Sequence, residues 1–168
     1  MLHIELPGGA TTAAAPLTFE HVVCDVNGTL AEDGLLIEGA AGRLTDLARH
    51  VRIHLLSADT YGTLQEIVGQ LRASAIAADI PAPQWVRVAA GEEKAAYVRE
   101  LGARRVVAIG NGANDAAMFA EARLSVAVLG AEGANIRAAL AADILTYSIN
   151  DALDLLLYPQ RLIATLRP

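Results

Sequence analysis

The sequence contains a single cysteine, Cys24, and no long apolar run. One cysteine excludes an internal disulfide and favours a reducing compartment, and we expect its thiol to be buried and inert. No stretch approaches the ~18 apolar residues that a membrane helix needs. The first nine residues lack a basic segment and include Glu5 and Pro7, unlike a signal peptide. From these absences we expect a cytoplasmic protein with no membrane partner.

Aromatic residues and lysine are also scarce. Aromatics make up 4% of the 168 residues although 54% are hydrophobic, so the core must be aliphatic, which suits parallel strands covered by helices on both faces. The net charge of -6 argues against a nucleic-acid partner. The length fits one domain. We expect a single domain over residues 1–168, in which 1–16 form an accessory strand and a linker.

The most informative stretch is residues 22–30, V-V-C-D-V-N-G-T-L. The largely apolar run Phe19–Cys24 predicts a buried strand, and Gly28 with Thr29 breaks the strand pattern. Asp25 would then lie at the carboxyl end of a strand, which is the ligand-binding edge of an open parallel sheet. A carboxylate there can bind a metal or attack a phosphoryl group. An ordinary Asp-x-Asn-Gly turn would have the same local pattern.

Strand and helix patterns alternate along most of the chain. The predicted strands are Phe19–Asp25, Ile53–Leu56, Trp85–Ala90, Arg105–Ile109, Leu124–Leu129 and Ile144–Tyr147. The predicted helices carry the stripes 44–51 and 64–71, then cover Glu92–Leu101, the segment up to Glu121, Gly133–Leu140, and 149–157, which Pro159 stops. This alternation implies a parallel, doubly wound sheet with right-handed crossovers.

Two smaller elements accompany this alternation. Leu2–Leu6 alternates apolar and polar residues, which predicts a strand whose partner, within the chain or in another subunit, the sequence leaves open. Residues 30–37 contain Asp33-Gly34, a strong hairpin signal. We therefore expect a small flap beside Asp25.

Four polar residues follow the carboxyl ends of successive predicted strands. They are Asp25, Ser57, Lys94 and Asp115. Such ends share one edge of a parallel sheet, so these residues should converge. Each also has an ordinary interpretation: Ser57 as a helix cap, Asp115 as a first-turn acid, and Lys94 as a solvated surface residue. Lys94 is nevertheless the sole lysine among 13 basic residues, which favours a specific role for a compact ammonium group.

Together these residues resemble the haloacid dehalogenase superfamily of phosphoryl-transfer enzymes, over about 19–157. The first motif of that family, Asp-x-Asp-Gly-Thr, is matched by residues 25–29, D-V-N-G-T, and its second and third motifs by Ser57 and Lys94. The fourth, acidic motif is matched by residues 110–115, G-N-G-A-N-D. This loop and S-A-D at 57–59 are most similar to the phosphorylation domain of P-type ATPases. Each motif alone is a weak signal, whereas four in order are a strong one.

The resemblance implies a three-layer α/β/α, Rossmann-like fold with a central parallel sheet and no cap domain. It also implies that Asp25 becomes an aspartyl phosphate, that Lys94 neutralises the charge there, and that Asn27 occupies the acid/base position. The implied phosphate-binding residues are Asp25, Gly28, Ser57, Ala58 and Lys94. The implied cofactor is Mg²⁺, with the ligands Asp25, the main-chain carbonyl of Asn27, Asn111 and Asp115. The implied partner is a phosphorylated small molecule or phosphoryl donor, and the implied assembly is a homo-oligomer.

Two residues depart from the family pattern. Asn27 replaces the aspartate that protonates the leaving group and activates water, and an amide performs neither step. Asn111 replaces an acid that lies close to Mg²⁺, which weakens metal binding. Both changes predict slow catalysis.

Several functions therefore stay open at this point. The sequence favours a slow Mg²⁺-dependent phosphohydrolase or phosphotransferase, and a non-catalytic module that binds a phosphorylated ligand or a protein is the main alternative. A dinucleotide-binding domain is disfavoured, because the sixth position of the 110–115 loop is Asp115 instead of glycine or alanine. A receiver domain is also disfavoured, because it would need an acidic pair after its first strand and this sequence has none there. The histidines at 3, 21, 50 and 54 show no ligand spacing and are interpreted as structural or surface residues.

Overall fold

The computed structural model describes residues 1–5, 16–59, 61–78 and 85–167. Its strands are β1 (Leu2–Ile4), β2 (Leu17–Phe19), β3 (His21–Asp25), β4 (Ala31–Glu32), β5 (Leu35–Leu36), β6 (Arg52–Ser57), β7 (Trp85–Val88), β8 (Val106–Gly110), β9 (Leu124–Val128) and β10 (Ile144–Thr146). Its helices are α1 (Ala40–Ala48), α2 (Leu64–Ala77), α3 (Glu92–Glu100), α4 (Ala116–Glu121), α5 (Ile136–Ala141), α6 (Ile149–Leu157) and α7 (Pro159–Leu166).

Six strands form one parallel sheet in the order β10-β9-β8-β3-β6-β7. Strand β3 lies in its interior, hydrogen-bonded to β6 on one side and β8 on the other, and all five of its residues are buried. A strand buried on both faces reads as a continuous apolar run, which is why residues 22–24 of β3 are all apolar. The position of β3 places Asp25 at the centre of the carboxyl edge.

Helices cover both faces of this sheet. Buried side chains of α1, α2, α6 and α7 share one core with Val22 and Cys24, whereas those of α3, α4 and α5 share a second core with Val23. Successive residues of β3 thus point into opposite cores, as the pleat of a strand requires. The three-layer α/β/α prediction is confirmed. Between β3 and α1 the chain forms only the β4–β5 hairpin, so no cap domain is inserted there.

Most predicted elements occur within a few residues of their expected bounds, and the flap is the clearest case. Asp33 and Gly34 both have positive φ, 50° and 79°, at the tip of the β4–β5 hairpin. This combination is characteristic of the tight turn that an Asp-Gly pair favours. The hairpin prediction is confirmed.

Three element predictions need correction. The single strand expected over Phe19–Asp25 is interrupted at Glu20, which separates β2 from β3. Helix α5 begins at Ile136 instead of Gly133, because Asn135 caps it by accepting a hydrogen bond from the Arg137 N–H at 2.9 Å. Pro159 follows α6 as expected but also begins α7, since proline is well suited to the first helical position.

The accessory strand pairs within the chain. Strand β1 is antiparallel to β2, with Leu2 opposite Phe19. Leu6 and the rest of the predicted linker up to residue 15 lie outside the described residues. Among the described residues no helix combines the length and the apolar character needed to cross a bilayer.

Candidate active site

Asp25, the last residue of β3, has an exposed fraction of 5%. One carboxylate oxygen, Oδ1, accepts a hydrogen bond from Lys94 Nζ at 2.5 Å. The other oxygen, Oδ2, accepts a longer bond from the Thr29 hydroxyl at 3.4 Å. The strand thus delivers this carboxylate to the sheet edge with one oxygen bound tightly and the other bound weakly.

Lys94 lies in the first turn of α3 and is completely buried. Its ammonium group donates to Asp25 and also to Asp115 Oδ1, at 2.7 Å. Burial lowers the pKa of Lys94, but the two carboxylates outweigh it, and the pKa of Lys94 is raised. A buried ammonium ion is tolerated only with such partners. The solvated-surface interpretation of Lys94 is therefore wrong.

Asp115 is also completely buried, in a short 3₁₀ turn after β8. Besides Lys94, it accepts hydrogen bonds through Oδ2 from the backbone N–H groups of Asn111 at 3.0 Å and Gly112 at 2.8 Å. A Cβ atom at Gly110 would lie 2.5 Å from this oxygen, so the loop needs a glycine there. Asp115 thereby holds both the loop and Lys94.

The turn after Asp25 packs directly on the 110–115 loop. Gly28 has a φ of 76°, and a Cβ atom there would lie 2.4 Å from Asn111 Nδ2. Thr29 donates to Asn111 Oδ1 at 3.2 Å, and Asn111 Nδ2 donates to the carbonyl of Gly133 at 3.0 Å. An aspartate could not make this last bond. The amide at position 111 thus has a structural partner that an acid would lose.

Ser57 is the last residue of β6 and is completely buried. Its hydroxyl oxygen accepts hydrogen bonds from the Asp59 N–H at 2.9 Å and from Asn27 Nδ2 at 3.4 Å. These bonds link the two loops that follow β3 and β6. Ser57 caps a local turn and not the start of α2, where the Leu64 N–H instead donates to Asp59 Oδ1 at 3.1 Å.

A cavity of about 230 Å³ opens beside these residues. Its lining consists of Asp25, Asn27, Ala58, Tyr61, Asn111, Gly112, Asn114 and Glu132. Four of these were predicted as site residues: Asp25, Asn27, Ala58 and Asn111. The other predicted residues, Gly28, Ser57, Lys94 and Asp115, do not line the cavity but contact those that do or, for Gly28, pack against Asn111.

Four polar residues at or beside the cavity had no predicted role: Thr29, Tyr61, Asn114 and Glu132. Thr29 and Asn114 lie within the recognised motifs, so their motif positions were an available signal. Tyr61 and Glu132 lie in loops after β6 and β9 and have no pattern around them. Only the folded chain brings these two loops to the cavity.

The triad of Asp25, Lys94 and Asp115 carries two carboxylates and one ammonium group. Burial and the charge of Asp115 raise the pKa of Asp25 to about 7, and Lys94 only partly offsets them. A perturbed carboxylate beside a cavity is typical of a site that performs chemistry. The excess negative charge also favours a cation at the cavity.

The arrangement of metal donors is sparse. Among the described residues no three His, Cys, Asp or Glu side chains converge on one metal position. A metal ion here would depend on Asp25, amide and main-chain oxygens, and water. Such hard oxygen donors suit Mg²⁺.

No family model matches the chain. Two proteins of Methanocaldococcus jannaschii, both named as uncharacterized, match parts of it. MJ0073 is 48% identical over 64 residues, which is 38% of this chain and 69% of that protein. MJ0072 is 49% identical over 39 residues, which is 23% of this chain and 89% of that protein.

Solved structures match most of the chain. The cobalt-bound deoxy-D-mannose-octulosonate 8-phosphate phosphatase of Haemophilus influenzae has a TM-score of 0.64 at 17% identity, covering 90% of this chain and 95% of that one. The Moraxella catarrhalis phosphatase of the same kind, in complex with magnesium, phosphate and KDO, has a TM-score of 0.61 at 15% identity, with 89% and 94% covered. The catalytic domain of the CPx-ATPase CopB-B has a TM-score of 0.58 at 25% identity, with 73% and 46% covered.

Proposed function

The chain belongs to the haloacid dehalogenase superfamily, in one family with MJ0073, and from this premise we propose that it transfers phosphoryl groups through an aspartyl phosphate on Asp25. The observation that carries the proposal is the buried triad Asp25–Lys94–Asp115 beside a cavity. An anionic nucleophile that attacks an anionic phosphoryl group needs cations close by. Lys94 supplies one of them at 2.5 Å from the carboxylate.

In the first step an oxygen of Asp25 bonds to phosphorus while the bond from phosphorus to the leaving oxygen breaks. The leaving oxygen takes its proton from water, because the amide of Asn27 is not acidic enough to give one. Lys94 stabilises the negative charge that gathers as the two anions meet. In the second step water attacks phosphorus, which releases inorganic phosphate and restores the Asp25 carboxylate.

The remaining predicted residues support the phosphoryl group. The Ser57 hydroxyl is completely buried and still has a proton to donate, since Asn27 Nδ2 and the Asp59 N–H both donate to its oxygen. Gly28 and Ala58 follow the two strand ends. The Gly28 N–H already donates to the carbonyl of Ala31 at 2.8 Å, so Gly28 would act through its close packing on Asn111, whereas Ala58 would offer a backbone N–H to the phosphoryl oxygens. Asp115 contributes by holding Lys94.

Mg²⁺ is the proposed cofactor, and the oxygen donors beside the cavity fit it. Asp25 Oδ2, the carbonyl of Asn27 and the side-chain oxygen of Asn111 are the proposed protein ligands. Asp115, also predicted as a ligand, already accepts three of the about four hydrogen bonds that a carboxylate can accept, which leaves one position on Oδ1 for the ion. When bound, the ion would neutralise phosphoryl charge. The magnesium named for the Moraxella catarrhalis phosphatase supports this choice.

Turnover should be slow. A missing general acid/base costs about 10²- to 10⁴-fold in rate. The cost falls on both steps, since the family uses the same residue to protonate the leaving group and to activate water. The aspartyl phosphate of this chain should therefore persist long enough to be isolated. The proposed substrates are phosphorylated small molecules or phosphoryl donors.

Intact mass spectrometry tests the proposal. The protein is incubated with Mg²⁺ and acetyl phosphate and quenched in acid, and Asp25→Asn is the control. We expect one phosphate adduct on the parent chain and none on the variant. If the parent chain forms no adduct and also releases no inorganic phosphate, the proposal is overturned.

A non-catalytic module is the second candidate. It is favoured by the amides at positions 27 and 111, which are both committed to hydrogen bonds within the site. Such a module would bind a phosphorylated ligand or a protein without forming the adduct. The mass experiment separates the two functions.

A further inference from the structure

Two residues of the cavity lining lie outside the recognised motifs. Tyr61 comes from the loop after β6 and Glu132 from the loop after β9. Glu132 Oε1 accepts a hydrogen bond from the Asp33 N–H at 2.9 Å, which joins its loop to the tip of the β4–β5 hairpin. The charge of Glu132 is the largest of the causes that raise the pKa of Tyr61. The part of the cavity that Tyr61 and Glu132 line is therefore electronegative.

The described residues that line the cavity include two carboxylates, Asp25 and Glu132, and no lysine or arginine. Lys94 is completely buried and lies at hydrogen-bond distance from two carboxylates. Its charge would stabilise a phosphoryl group that is bound at Asp25. Among the described side chains that line the cavity, none compensates the charge of Glu132 with a positive one.

We propose that this cavity selects phosphomonoesters whose alcohol part is neutral or cationic, and that Glu132 sets this preference. The inference rests on the proposed function, because the phosphoryl group must lie at Asp25 for the alcohol part to reach Glu132. An anionic alcohol part would meet a like charge in a cavity of about 230 Å³. An ammonium group would be attracted to Glu132 and to the ring of Tyr61, whose exposed fraction is 46%.

This preference separates the chain from its structural neighbours. The octulosonate 8-phosphate in the names of the Haemophilus influenzae and Moraxella catarrhalis phosphatases is the phosphate ester of an acid. Such a molecule would bring its carboxylate to the electronegative part of the cavity that Glu132 lines. We expect this chain to bind it poorly.

Calorimetry with three small phosphomonoesters tests the inference. The Asp25→Asn chain, which cannot form the adduct, is titrated in Mg²⁺ with phosphoethanolamine, glycerol phosphate and phosphoglycolate, whose alcohol parts are cationic, neutral and anionic. We expect phosphoglycolate to bind at least about fivefold more weakly than phosphoethanolamine, with glycerol phosphate between them. Equal affinities would overturn the inference.

Variants of Glu132 assign the preference to this residue. Glu132→Gln keeps an acceptor for the Asp33 N–H and should remove the difference between phosphoglycolate and phosphoethanolamine. Glu132→Lys should reverse the order of affinities, so that phosphoglycolate binds more tightly than phosphoethanolamine. Glu66→Gln makes the same change of charge on the exposed surface of α2 and should leave the difference intact. A preference that survives Glu132→Gln would overturn the role of Glu132.

The outcome is separable from that of the proposed function, because binding is measured without turnover. A charge preference in a chain that forms no phosphate adduct would overturn the proposed function alone. An adduct on the parent chain without a charge preference would overturn this inference alone. No binding of any of the three esters would also overturn the inference.

Discussion

Strand β3 and helix α3 each contribute to two buried polar networks, at opposite ends of the sheet. At the carboxyl end, Asp25 and Asp115 bind Lys94. At the amino end, His21 Nδ1 lies 2.9 Å from His54 Nε2, and His54 Nδ1 lies 2.9 Å from the Tyr97 hydroxyl. The first network is charged, whereas burial lowers the pKa of both histidines and keeps the second neutral.

Their surroundings differ as well. The charged network lies beside the cavity of about 230 Å³, to which the loops after four strands, β3, β6, β8 and β9, contribute. A larger hollow of about 400 Å³ lies near the amino end, lined in part by Glu20 and Arg52, but it contains none of the predicted site residues. Neither burial of polar groups nor cavity size therefore marks the site. An unbalanced buried charge beside a cavity does.

The largest expected effect comes from breaking the charged network. Lys94→Met leaves two carboxylates buried without their cation, and we expect a loss of about 3–5 kcal/mol in the free energy of unfolding at pH 8, together with loss of the phosphate adduct. Tyr97→Phe, three residues along α3, removes the neutral hydrogen bond to His54 and should cost about 1 kcal/mol with the adduct retained. Urea unfolding and mass spectrometry measure both. Equal losses for the two variants would contradict the comparison.

Restoring the missing acid should accelerate the chemistry. We expect Asn27→Asp to speed decay of the phosphate adduct by about 10²-fold, because a carboxylate can activate the attacking water. Asn114→Asp places the same added charge on the same cavity away from that position and should have little effect. The decay is followed by quenched mass measurements over a range of Mg²⁺ concentrations. An unchanged decay at every concentration would show that the missing acid does not limit the rate.

The contributions of the two networks to stability should change with pH in opposite directions. The pKa of Asp25 is raised from 3.8 to about 7, so between these values the folded chain keeps a proton that the unfolded chain releases. Stability from this group is therefore complete below about pH 4 and lost as the pH rises to about 7. Relative to that of the parent, the free energy of unfolding of Asp25→Asn in EDTA should rise by on the order of 2 kcal/mol as the pH increases across this interval. A difference independent of pH would contradict this.

His54 is the matched case at the amino end. Its pKa is lowered from 6.5 to about 4, so its contribution to stability is complete above pH 6.5 and lost as the pH falls to about 4. The stability of His54→Gln should fall less steeply than that of the parent over this interval, by on the order of 2 kcal/mol. The phosphate adduct should form as in the parent. Denaturant unfolding at several pH values measures both variants.

The smallest effect concerns the amide at position 111. Asn111→Asp removes the hydrogen bond to the carbonyl of Gly133 and should cost about 1 kcal/mol of stability in EDTA. The added carboxylate should tighten Mg²⁺ binding, because Mg²⁺ prefers charged oxygen ligands. Thermal unfolding with and without Mg²⁺ measures the two effects. Unchanged stability in EDTA would show that the Gly133 bond contributes nothing.

Much of the fold was predictable because its signals are local. Apolar runs, helical stripes and the Asp33-Gly34 pair each depend on a few neighbouring residues, and the sheet, its covering helices and the hairpin all follow from them. The errors arose where a tertiary contact or a single residue decides a boundary. Because Asn135 is the N-cap, α5 begins only at Ile136. Pro159, which was expected only to end α6, is also the first residue of α7.

The site was predictable to a different extent. Asp25, Lys94 and Asp115 were expected to converge because each follows a strand of one parallel sheet, and in the structure they do. Tyr61 and Glu132 could not be predicted, since no periodicity governs the loops that carry them. Their assigned roles, like those of the other site residues, stay proposals that the experiments above address. The expected single domain and homo-oligomer also stay predictions.

The sequence by itself determined the order of strands and helices along the chain and the residues that stand at the strand ends, because these depend on local patterns of polarity. It also marked Lys94, through the absence of any other lysine. Only the tertiary structure decided that Lys94 is buried between two carboxylates, that Asn111 needs its amide, and that Glu132 faces the cavity. These properties depend on distances between segments remote in sequence, and such distances exist only once the chain has folded.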